Sequence, residues 1–288
     1  MIRRGLLALL LLSGTMTAAP AQAGRPRSHV VRQVDHIVVE SDDPAGLFRF
    51  FTRTLGLPEA WHTAEGGTFR TGGVGMGNVT LAIRPAADRT GRGGRARYAG
   101  LAFEPYPLDD ALRELGLRAL PHAPPDSTRG PLPNGEPGTL WTTVALPSLS
   151  GPGLSVFLYE TSPAYLDPRI RRIQLANRLT LQQGGALGIR RTAEVVFAAA
   201  DPEARTGEWT KLLGRAQAPG LWTTVMAGPS IRMSAGAADG IRELVLEVTS
   251  LERARAFLAG EGLLGAATSG SLTLDPARTQ GLAIRLVP

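Results

Sequence analysis

The chain contains no cysteine, so thiolate nucleophiles, thiolate metal sites and disulfides are excluded. Any metal would have to be held by imidazole, carboxylate or water. Of the 4 histidines, only His36 lies inside an apolar alternating run, "VDHIVVE", which reads as a β-strand. An imidazole there can do one of two jobs. It can ligate a divalent cation, or it can line a pocket or core as a hydrogen-bonding group without metal. Strand alternation puts Val34, His36, Val38 and Glu40 on one face and Asp35, Ile37 and Val39 on the other. Glu40 is four residues along, roughly 13 Å at ~3.3 Å per residue, too far to share a metal with His36. A second ligand must come from another strand. His62, in "EAWHTAEGG", reads as a pocket-rim residue that could supplement such a site, whereas His29 and His122 read as solvated.

Other chemistries find less support. "GGVGMGN" from Gly72 lacks a Lys-Ser/Thr pair and a following helix, so it reads as a turn with close backbone approach and not a phosphate loop. No Ser sits in a G-x-S-x-G context. The net charge of +6 is almost all arginine, and the run "ADRTGRGGRAR" (Ala87 to Arg97) reads as a solvated loop between strands. It has no interleaved aromatics, so a nucleic-acid partner is not expected.

The elements that must position these residues are visible as an internal repeat. Setting Val34 onward against Thr192 onward aligns Asp43-Pro44 with Asp201-Pro202, Phe51 with Trp209, and Leu55-Gly56 with Leu213-Gly214. Each copy reads as strand, Asp-Pro helix start, amphipathic helix and Leu-Gly stop. Leu101 to Gly116 pairs with Leu244 to Gly260, matching Glu104 to Glu247 and Leu108 to Leu251. "GLSVFLYE" pairs with "GLAIRLVP" as a closing strand. Four strand-helix-strand units result, two in each half, with a helix ending at Gly184-Gly185 between the halves.

Residues 1–23 have a basic start, a short apolar run and a small-x-small site at Ala21-Gln22-Ala23, the pattern of a secretory signal peptide. A secreted or periplasmic location is expected, without stable membrane association after cleavage. Pro/Gly-dense His122 to Thr139 reads as a connection or a loop over a pocket mouth.

"DHIVVESDDPAGLFRFFTRTLGL", "GGVGMGNVTLAI", "GTLWTTVALP" and "GLSVFLYE" together resemble the vicinal oxygen chelate superfamily, the glyoxalase and extradiol dioxygenase group. The resemblance implies an α+β fold of repeated βαβββ modules in two paired-module domains. These would be residues 30–165, a linking helix over 166–191, and a degenerate domain over 192–288. It also implies a divalent metal (Zn, Mn, Fe or Ni) bound by His36 on the first strand and Glu160 on the closing strand, with Glu160 catalytic. The metal would act as a Lewis acid toward a small oxygenated substrate, with Thr80, Arg84 and His62 lining the pocket. The sequence departs from the family pattern twice. Ala82 stands where a fourth-strand Glu is usual, and no His occurs near Ala99 or Gly100. Two readings therefore stand side by side: a metal-dependent lyase, isomerase or dioxygenase, and a non-catalytic small-molecule binder with a degenerate metal site. The protein is expected to be a monomer or homodimer.

Overall fold

The computed structural model describes residues 29–62, 71–86 and 95–288. The signal-peptide reading over 1–23 and most of the arginine-rich run, 87–94, lie outside these residues.

The first module comprises β1 (Val31–Ser41), α1 (Pro44–Arg49), β2 (Glu59–Trp61), β3 (Gly72–Gly75) and β4 (Thr80–Pro85). The second comprises β5 (Ala96–Pro105), α2 (Leu108–Leu117), β6 (Asp126–Pro131), β7 (Pro137–Ala145) and β8 (Ser155–Thr161). They share one 8-stranded sheet, ordered β2-β3-β4-β1-β5-β8-β7-β6. β1 runs parallel to β4, β5 runs parallel to β8, and β1 and β5 meet antiparallel at the centre. The order reads the same outward from this central pair on both sides, as expected for a βαβββ unit used twice.

After α3 (Pro168–Leu181) the pattern recurs with β9 (Ile189–Ala199), α4 (Pro202–Leu213), β10 (Leu221–Trp222) and β11 (Ser230–Ala235). It closes with β12 (Gly240–Val248), α5 (Leu251–Gly260), β13 (Leu264–Ala267), β14 (Leu272–Leu274) and β15 (Ile284–Val287). These form a 7-stranded sheet, β10-β11-β9-β12-β15-β14-β13, whose third module has one strand fewer than the others.

The repeated residues do the same work in both halves. Asp43 accepts a hydrogen bond from Gly46 N at 2.8 Å and Asp201 from Ala204 N at 3.0 Å, each followed by a proline in the first helical turn. Phe51 and Trp209 are both fully buried. Trp209 packs against Phe103, Phe197 and Trp222 with ring centroids 5.3 to 6.4 Å apart, so one half's sheet touches the other half's helix.

The linking helix ends at Leu181, before the Gly184-Gly185 stop read from the sequence. Asp167 caps it by accepting from Arg169 N at 2.8 Å, and Gly184 (φ 75) and Gly185 (φ 67) turn the chain out of it. A Cβ on Gly185 would lie 2.3 Å from Leu55 O, so only glycine allows this turn to press against the first half. One expectation is corrected: His122 to Thr139 is neither a lid nor a bare connection. It builds the edge hairpin of β6 and β7, with Asp126 opposite Thr143 and Pro131 opposite Pro137.

Candidate functional site

His36 sits beside the centre of the first sheet, but the strand that carries it does not alternate regularly. Val34 pairs with Phe103 and Ile37 with Leu101, so three residues of β1 span what two residues of β5 span. The extra residue is a β-bulge. Val34, Ile37 and Val39 all enter the hydrophobic core, and Asp35 and His36 together occupy the place opposite Ala102. The expected alternation thus fails at Val34 and Asp35.

The bulge creates a pair. His36 Nδ1 and Asp35 Oδ1 are 2.7 Å apart, with His36 9% and Asp35 4% exposed. A carboxylate can only accept, so in the neutral ring Nδ1 carries the hydrogen and Nε2 presents its lone pair. The ring is held edge-on by Tyr159 and Phe157 of β8, at centroid distances of 4.8 and 5.8 Å. Trp141 of β7 and Tyr165 extend this aromatic wall, each ring 6.1 Å from the next. Phe157, Tyr159 and Trp141 remain only half-buried. Burial, and secondarily the Asp35 charge, push the Tyr159 phenol well above its ordinary range, so it is a neutral hydrogen-bonding group.

The acidic side of the site is already neutralised by α3. Arg171 Nη2 lies 3.5 Å from Asp35 Oδ1, and Arg172 Nη1 lies 3.7 Å from Asp35 Oδ2 and 2.7 Å from Glu104 Oε2. Gln33 donates to Glu104 at 2.8 Å, and Arg171 stacks 5.4 Å over Trp61. α3 is seated on the sheet by apolar contact: a Cβ on Gly75 would come 3.3 Å from Leu175 Cδ2. Burial acts to raise the Asp35 pKa, but the His36 hydrogen bond and the charges of Arg171 and Arg172 outweigh it. The carboxyl is left below its usual range.

Of the other sequence-derived site residues, Thr80 is brought beside His36, whereas Glu160, Arg84 and His62 are not. Glu160 follows Tyr159 and therefore points to the other face of β8. Its Oε1 accepts from Leu108 N at 3.0 Å and caps α2, where Pro107 offers no side-chain acceptor. The expected His36–Glu160 metal pair is corrected by that strand parity. Burial raises the Glu160 carboxyl against the lowering effect of this hydrogen bond. Replacing Glu160 with Ala should cost about 1 kcal/mol of stability, the value of a lost cap, readable in urea denaturation, and leave ligand binding unchanged. Thr80 does lie opposite His36, and Ala82 opposite Val38. Arg84 is spent on Glu40: its Nη2 lies 3.1 Å from Glu40 Oε1, while Arg97 holds Oε2 at 2.6 Å. Burial of Glu40 opposes these contacts without overcoming them, and its pKa is lowered. His62 is surface, with an 86% exposed side chain 2.7 Å from Glu59.

These donors do not fit a metal centre. The strands flanking His36 present Thr80 and Ala82 on β4, Gly100 and Ala102 on β5, and Phe157 and Tyr159 on β8, and the next residue along that face of β5, Glu104, is held by Arg172 at 2.7 Å and by Gln33 at 2.8 Å. Asp35 is committed to His36 Nδ1 and to two guanidiniums, which would repel a divalent cation. No group of three or more potential ligands occurs among the described residues. Sequence reading missed Asp35, Tyr159 and the two arginines. The one available signal was the adjacent polar pair Asp35-His36 inside an apolar run, which a regular half-buried strand does not favour.

No family model and no curated protein matches this sequence. Solved structures do. A 2,3-dioxygenase from a Pseudomonas species superposes with a TM-score of 0.57 at 14% identity, over 90% of this chain and 92% of that one. A Mn(II)-bound glyoxalase from Novosphingobium aromaticivorans gives 0.55 at 14% identity, over 89% and 82%. Homoprotocatechuate 2,3-dioxygenase from Brevibacterium fuscum, in complex with 3,4-dihydroxyphenylacetate, gives 0.51 at 12%, over 93% and 84%. The chain therefore has the glyoxalase and extradiol dioxygenase fold, an α+β architecture of βαβββ modules. Within it, the first sheet carries an Asp–His pair clamped by arginines.

Proposed function

We propose that this is a small-molecule-binding protein of the glyoxalase and extradiol dioxygenase fold in which the metal centre has been replaced by the Asp35–His36 pair and its arginine clamp. The observation that carries this reading is that the register of the central strands surrounds His36 with Thr, Ala, Gly and aromatic side chains, while the nearby carboxylates, Asp35 and Glu104, are both engaged by arginine. What those strands offer is a half-buried aromatic wall for a planar body, and the His36 Nε2 lone pair for a hydroxyl. A small oxygenated, partly planar ligand suits that combination. The competing reading, a metal-dependent lyase, isomerase or dioxygenase, requires free ligand carboxylates, whereas Asp35 and Glu104 are both paired with arginine. Export through residues 1–23 is part of the proposal and is checked by whether the mature protein begins at Gly24.

The test is isothermal titration with 3,4-dihydroxyphenylacetate and simple phenols, with and without EDTA. Binding should be indifferent to EDTA and weakened about tenfold or more in Tyr159→Ala, equivalent to the ~1.4 kcal/mol expected of an aromatic contact. Binding that requires added metal would overturn the proposal.

A further inference from the structure

A concavity lies where α3 meets β9 and the two halves join, bordering the arginine clamp through Gln33 and Arg172. It is a groove of about 790 Å³, lined among others by Ile173, Leu179, Ile189, Arg190, Arg191 and Arg253. That volume is within the ~300–1,000 Å³ common for small-molecule sites, and junctions between domains are a frequent location for them.

Its base is fixed. Asn78 bridges the halves, accepting from Thr192 N at 3.0 Å and donating to Ala227 O at 3.0 Å. A Cβ on the neighbouring Gly77 would lie 2.7 Å from Arg191 Cα, so the backbones touch there. Leu179 and Ile189 are buried beneath the groove, while Ile173 stands 61% exposed at its side, an unusual position for so large an apolar residue.

The rim is cationic beyond its internal pairing. Arg190 Nη1 and Arg191 Nε share a single carboxylate, Glu247, at 2.7 Å each, which among the described residues leaves one of their two positive charges without a carboxylate. Arg253 donates to the carbonyls of Gln183 (3.3 Å) and Gly185 (2.6 Å) and has no carboxylate partner among the described residues. A surplus of guanidinium charge beside an exposed apolar flank is the chemistry that recognises an anion with a hydrocarbon body.

We infer that this groove binds a small anionic amphiphile, with its carboxylate on Arg190 and Arg191 and its apolar part along Ile173. The probe is sodium octanoate in isothermal titration, beside inorganic phosphate and 1-octanol. Octanoate should bind saturably, and phosphate and octanol should each bind at least about tenfold more weakly, since each lacks one half of the recognition. Arg190→Gln should weaken octanoate about tenfold, and Ile173→Asp, which places a like charge in the groove, should abolish binding. Both side chains are mostly exposed, so thermal midpoints should stay at the parent value. Tyr159→Ala should leave octanoate binding intact. Absence of octanoate binding, equal affinity in Ile173→Asp, or phosphate binding as tightly as octanoate would overturn the inference.

Discussion

Asp35→Ala is expected to lose about 3–5 kcal/mol of folding stability, the range for removing one partner of a buried charge network. Its carboxylate is only 2% exposed as a side chain and faces His36, Arg171 and Arg172. Without it, Arg172 keeps Glu104, Arg171 keeps no carboxylate partner among the described residues, and His36 Nδ1 loses its acceptor. The pH dependence has the same origin. The folded-state pKa of Asp35 is depressed, so its stabilisation is fully present above the unfolded carboxyl value of about 3.9 and is lost as pH falls through the folded value. Glu40, depressed by Arg97 and Arg84 against its own burial, contributes with the same sign. Denaturant midpoints should therefore fall on acidification below about pH 4, more steeply in the parent than in Asp35→Asn. A parent and variant with parallel acid profiles would show that Asp35 is not held by these charges.

Trp209→Ala should cost about 3–5 kcal/mol as well, through cavity formation and not through charge. Trp209 is fully buried among Phe103, Phe197 and Trp222, and Phe103 belongs to the central strand β5 of the other half. The loss should therefore appear in a single transition for the whole chain. Two separated transitions, with only the later half destabilised, would mean that this aromatic cluster does not couple the halves. Trp209→Phe, which refills most of the volume, should recover much of the stability.

Local features of the fold were legible because they obey local rules. Asp43-Pro44 and Asp201-Pro202 start helices by capping, and Phe51 and Trp209 mark the same buried helix position in both halves, whereas α3 stops at Leu181, before the expected Gly184-Gly185, with Gln183 already at positive φ. The core-facing positions of Leu81 and Ile83 followed from period-2 alternation along β4, where both are fully buried. Alternation misled where a bulge interrupts it. One extra residue in β1 turned Asp35 to the same side as His36, and no periodicity argument registers that shift. Parity also decided Glu160, one residue past Tyr159 and so on the helix side of β8. The arginine clamp was the least legible part. Arg171 and Arg172 lie 136 and 137 residues from Asp35 in sequence, and their place depends on how α3 docks, which is tertiary packing and not pattern.

The central claim, that arginines and aromatic rings stand where metal ligands would be needed, is tested most directly by calorimetric titration of the protein, purified without chelator or His tag, with Zn, Mn, Fe and Ni. The structure predicts no saturable binding at one metal per chain, and the same trace for His36→Ala. Tight binding of one equivalent that disappears in His36→Ala would contradict it and restore the metal-dependent enzyme.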